Sequence, residues 1–64
     1  MVLYWNVGAF TYHVTLDIEK GKAKIEKHDG DDKKVGRSKT FKLSRYEACQ
    51  SRYDVEELYK SKEK

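Results

Sequence analysis

Proline is absent from this 64-residue chain, and cysteine, methionine and tryptophan occur once each. Without proline, nothing in the sequence forces a cis peptide bond or a rigid helix break. The single cysteine, Cys49, has no intramolecular disulfide partner. That excludes a disulfide-stapled secreted mini-domain and makes a reducing compartment the default. Long apolar runs are missing too: the longest, Met1 to Trp5, falls far short of the ~20 residues a membrane span needs. No basic segment followed by a signal-length apolar run opens the chain. The expectation is a cytoplasmic protein with no membrane partner.

What is present fits a single small α+β domain spanning residues 1–64, with 61–64 as a frayed tail. A chain of this length buries only about 60% of its unfolded surface, which leaves little room for a deep catalytic cleft. Charged residues make up 39% and aromatics 12%. Trp5, Phe10, Phe41 and five tyrosines supply enough apolar area to argue against disorder. Net charge is +3 but unevenly spread: −2 over residues 1–19, +6 over 20–45 and −1 over 46–64. The basic middle suits an anionic partner such as nucleic acid. The plainer reading is a solvated face that keeps a sheet edge soluble.

Phe10 to Ile18 alternates strictly, with Phe10, Tyr12, Val14, Leu16 and Ile18 on one parity and Thr11, His13, Thr15 and Asp17 on the other. That is the pattern of a half-buried strand. Val2 to Val7 reads as a preceding strand, and a Val7-Gly8 hairpin loop would set Trp5 opposite Phe10 and Leu3 opposite Tyr12. A two-residue Lys20-Gly21 loop would pair Glu19 with Lys22, Leu16 with Ile25 and His13 with His28, matching the apolar faces. His28 to Lys34 is a polar loop with a turn at Asp29-Gly30. Val35 to Leu43 reads as a last strand, polar on both faces in its middle.

Ser44 with Glu47 fits a capping box opening a helix over about Arg45 to Lys60. Ser51 with Asp54 repeats the pattern seven residues on, so a break near Gln50 is the rival reading. Ala48, Val55, Leu58 and Tyr59 form one apolar stripe, and Tyr46, Cys49 and Tyr53 a second. The expected architecture is an antiparallel meander of three to four strands packed against one C-terminal helix. In layout only, this resembles AP2-type domains and the small amino-terminal DNA-binding domains of phage integrases, with Phe41, Ser44 and Glu47-Ala48 at the strand-to-helix junction as the local similarity. The resemblance implies a sheet face presented to DNA. It carries no functional residue across.

Little in the sequence supports catalysis, and no enzyme is expected. Cys49 has no neighbouring histidine or second cysteine to activate it. Asp29-Gly30-Asp31-Asp32 begins like a calcium loop but runs into Lys33 and Lys34, without the spacing or final glutamate such loops need. His13 and His28 with Asp29 or Asp31 have the donor types of a transition-metal site. No spacing motif accompanies them, so no metal or cofactor is expected. By elimination, the expected function is a non-enzymatic module that binds DNA or RNA, largely electrostatically, through Lys22, Lys24, Lys33, Lys34, Arg37 and Lys39. The alternative is a protein-binding inhibitor or adaptor of the small, phage-encoded sort, using a sheet edge or the helix face of Arg45, Tyr46, Arg52 and Tyr53. A homo-oligomeric structural subunit is a third class.

Overall fold

The computed structural model describes residues 1–61; of the expected tail, residues 62–64 lie outside the described residues. Four strands, β1 (Val2–Val7), β2 (Phe10–Asp17), β3 (Lys22–His28) and β4 (Lys39–Lys42), are followed by α1 (Leu43–Glu47) and α2 (Arg52–Lys60). The strands form one antiparallel sheet in the order β1-β2-β3-β4. This is the expected meander, backed by two short helices rather than one long one.

The even positions of β2 carry the core. Tyr12 and Val14 are fully buried together with Ala23 and Ile25 of β3, Phe41 of β4 and Val55 of α2. Val7, Tyr46 and Leu58 complete the cluster, and Leu3, Trp5, Leu16, Leu43, Cys49 and Tyr59 pack around it. Trp5 Nε1 donates to Tyr46 Oη at 3.0 Å, tying β1 to α1.

Both hairpins depart from the expected register by two residues, which preserves the faces. Val7 pairs with Phe10, Trp5 with Tyr12 and Leu3 with Val14. The first loop is therefore Gly8-Ala9, with Gly8 at φ +61°, as a type II′ turn requires at its first position. In the second hairpin Asp17 pairs with Lys22, Leu16 with Ala23 and Val14 with Ile25. Its loop is the four residues 18–21. Gly21 closes it at φ +64°, and the Asp17 carboxylate accepts from Lys20 N–H at 3.1 Å. A two-residue Lys20-Gly21 loop would have forced Lys20 to a positive φ in a type I′ turn, or put the glycine at the wrong position of a type II′ turn. Lengthening the loop by two satisfies the turn chemistry and keeps the apolar row inward. Ile18 thereby leaves the strand and is 67% exposed.

The break in the helix follows from the second capping pair. Ser51 is the N-cap of α2, its Oγ accepting from Asp54 N–H at 3.4 Å. The Asp54 carboxylate also accepts from Gln50 N–H at 2.8 Å, one residue before the cap, so it closes the chain over the helix start much as the second half of a capping box does. The Ser44–Glu47 capping box does not form: α1 starts one residue before Ser44, and its N-cap, Lys42, makes no side-chain cap bond. Of the first expected stripe, Val55 and Leu58 are buried and Tyr59 half-buried, while Ala48 is exposed; of the second, Tyr46 is buried and Tyr53 exposed. No helix among the described residues is long and apolar enough to cross a membrane.

Candidate nucleic-acid interface on the open sheet face

With α1 and α2 packed on the even face of β2, no described helix covers the opposite face of the sheet. β1 contributes Val2, Tyr4 and Asn6, and β2 contributes Thr11, His13, Thr15 and Asp17. β3 adds Lys22, Lys24, Glu26 and His28, and β4 adds Thr40 and Lys42. Alternation along paired strands places these residues together, and none of them is buried.

Aromatic and imidazole rings cluster near the centre of this face. Tyr4 pairs with His13 across β1 and β2, and their rings meet edge to face at 4.7 Å. Tyr4 is nevertheless 64% exposed, so much of its ring meets solvent. His13 and His28 are not directly opposite, as the expected register had them. His13 faces Glu26 and His28 faces Thr11. The two histidines are diagonal neighbours, close enough for ring contact in a twisted sheet, and they stack at 3.8 Å with planes 15° apart.

The loop after β3 adds a carboxylate to this pair. Asp29 Oδ1 accepts from Asp31 N–H at 2.9 Å and from Lys33 N–H at 3.0 Å. Asp29 N–H donates to Lys33 O, and Asp32 N–H to Asp29 O. This network holds Asp32 at φ +61°, a conformation that Asp tolerates better than most residues. Asp32 Oδ1 then lies 3.6 Å from His28 Nδ1 and 3.8 Å from His13 Nε2.

The six bases singled out in the sequence do not share one surface. Lys22 and Lys24 stand on the open face, and Lys34 joins them through an ion pair with Glu26 at 3.8 Å. Lys33 and Arg37 are exposed in the connection between β3 and β4. Lys39 pairs with Ile25 and so points to the helix side, where its Nζ donates to Tyr59 O at 2.7 Å and lies 4.9 Å from the Tyr59 ring centroid. Lys42, paired with Lys22, extends the cationic rim in its place. Its alternation with buried Phe41 marks it as outward-facing in the sequence. Acids are interleaved: Glu26 lies 4.0 Å from Lys24, and Asp17 and Asp32 flank the face.

Arg45, Tyr46, Arg52 and Tyr53 are likewise divided. Tyr46 is core. Arg45 lies over Phe41 at 5.3 Å and donates to Ser61 Oγ at 3.0 Å. Arg52 and Tyr53 remain exposed and contact each other, Arg52 Nη2 donating to Tyr53 Oη at 3.3 Å. Cys49 is half-buried, and burial, reinforced by Asp54 and opposed by Arg45, pushes its thiol up, away from the thiolate form. Comparison of the chain with models of known protein families, with curated proteins and with solved structures finds no match in any of the three.

Proposed function

We propose that the chain is a non-enzymatic binding module for single-stranded nucleic acid, and that it uses the open sheet face. The observation that carries this reading is the exposed Tyr4 ring beside the His13–His28 stack, rimmed by Lys22, Lys24, Lys34 and Lys42. Bases of a single strand offer free π-faces for stacking, and lysines at the rim neutralise the backbone. A duplex hides those faces. Asp17, Glu26 and Asp32 among the lysines leave the face only weakly positive, so stacking carries more of the affinity than the charge layout alone suggests. Among the described residues no cleft encloses a small molecule, and an open face suits an extended ligand.

The protein-partner alternative keeps Arg52, Tyr53 and the outer edges of β1 and β4 as its surface, since Tyr46 is spent in the core. The experiment that separates the two is fluorescence anisotropy with single-stranded and duplex DNA and RNA at two salt concentrations. Three to four phosphate contacts predict a log–log salt slope of about −2 to −3, at ~0.7 per contact for single strands. Loss of one base stack, worth about 1–3 kcal/mol, predicts that Tyr4→Ala weakens binding by about 5- to 150-fold. No binding at low salt, or binding indifferent to Tyr4, would overturn the proposal.

A further inference from the structure

His13, His28 and Asp32 come from two strands and a loop, yet their ligand atoms converge: His13 Nε2, His28 Nδ1 and Asp32 Oδ1 all lie within 4.8 Å of one another. We infer that this trio is a binding site for a divalent transition-metal ion of the Zn²⁺ class, with a fourth position open to solvent. The inference does not depend on the nucleic-acid reading.

The spacing fits the ion. Zn²⁺ sits about 2.0–2.2 Å from imidazole nitrogen and carboxylate oxygen, so the edges of a tetrahedral site are about 3.3–3.5 Å. The Asp32 Oδ1 distances of 3.6 Å to His28 and 3.8 Å to His13 are within a few tenths of an ångström of those edges. The donor set, two imidazoles and one carboxylate, is one that Zn²⁺ accepts and hard cations such as Mg²⁺ and Ca²⁺ do not prefer. Asp32 is 81% exposed at its side chain, which leaves the open position facing water.

The surroundings resemble the outer shell of a metal site. The other nitrogen of His28, Nε2, faces Glu26 Oε2 at 3.9 Å. A ligating histidine commonly gives its second N–H to a carboxylate, which fixes the tautomer and raises the basicity of the metal-bound nitrogen. Glu26 is the carboxylate on that side of the ring, at ion-pair rather than hydrogen-bond distance in the ion-free fold, and it takes that place when the ring turns. The β2–β3 ladder fixes the backbones of both histidines. Asp32 is held by the loop network, so the backbones of all three residues are placed in the ion-free fold and the side chains have still to turn toward the ion. Asp29 is not in the converging group; its Oδ1 accepts from two backbone amides and holds the loop instead. The stacked imidazoles hold their lone pairs side by side, so binding requires the two rings to rotate apart until both nitrogens point at one ion. Loss of the stack is therefore a signature of occupancy.

The test is isothermal titration of the intact chain with Zn²⁺ in the absence of nucleic acid, alongside NMR of the histidine ring protons. The expected result is one ion per chain, reversed by EDTA. His13→Ala, His28→Ala and Asp32→Asn should each weaken binding at least about tenfold, and Glu26→Gln by about 10–100-fold, the usual cost of an outer-shell partner. Asp31→Asn should leave it unchanged. In the unaltered chain both histidines should shift together and reach their end-points at one equivalent as the ring stack opens. This second readout stands even where a variant fails to fold. Absence of binding, affinity indifferent to the trio, or a shift of one histidine alone would overturn the inference.

Discussion

Tyr12 is fully buried, and its hydroxyl has no hydrogen-bond partner among the described residues. A buried polar group left unpaired costs about 1–3 kcal/mol relative to its hydrated state. Tyr12→Phe removes that hydroxyl and keeps the ring, with its tilted contact to Tyr59 at 5.3 Å. The vacated space is the size of one oxygen atom, so the cavity penalty is small. The net expectation is a gain of about 1 kcal/mol, equivalent to roughly 4–8 °C in Tm for a domain of this size. The variant should also respond differently to base. Burial, reinforced by Glu56 and Tyr59, raises the Tyr12 hydroxyl above its ordinary pKa. Folding then favours the protonated form, so the wild type keeps its full stability below pH ~10 and loses it as pH rises through the folded value. Tyr12→Phe should flatten that alkaline decline. Urea denaturation followed by circular dichroism at pH 7 and across the alkaline range measures both effects. A loss of about 1 kcal/mol or more at pH 7 would instead mark a broken hydrogen bond and show that the hydroxyl has a partner in the folded state.

Other expectations follow from single contacts. Gly21→Ala forces an alanine to φ +64°, and chemical denaturation should show a loss of about 1–2 kcal/mol. Nothing crowds that position, so the loss isolates backbone conformation. Ser51→Ala removes the α2 cap, with an expected cost of about 0.5–2 kcal/mol and earlier melting of helical circular dichroism. Lys22→Glu with Lys24→Glu should weaken single-strand binding and flatten its salt dependence, whereas Arg52→Glu, on the helix side, should leave both unchanged in the same anisotropy assay.

Alternation and burial were strong guides to this fold. The row Tyr12, Val14, Ala23 and Ile25 identifies the core face because any one-residue slip would turn it to water. Shifts of two residues are invisible to that argument, and both hairpins moved by two. The deciding signals were local: the Gly8 and Gly21 positions, and the Asp17 carboxylate that caps the second loop. The helix break was legible only as a choice between two capping pairs. Ser51–Asp54 prevails because Asp54 also satisfies the Gln50 amide, and α2 then seats Val55 and Leu58 in the core. Lys39 gives no sign in the sequence of which face it takes, because its neighbours are polar on both sides. Its pairing with Ile25 turns it inward, where an amphipathic side chain can lie along Tyr59 and still reach a carbonyl. Asp32 carried no signal of its own, since its approach to the histidines depends on a left-handed backbone set by Asp29.

The proposed interface is the open sheet face, rather than the helix side or a sheet edge. Amide and side-chain NMR shift mapping on titration with a short single-stranded oligonucleotide tests it most directly. Binding at that face should concentrate the perturbations at Tyr4, His13, Thr15, Lys24, His28 and Lys42, with the amides of α2 unmoved. Perturbations centred on Arg52 and Tyr53, or none at all, would contradict it.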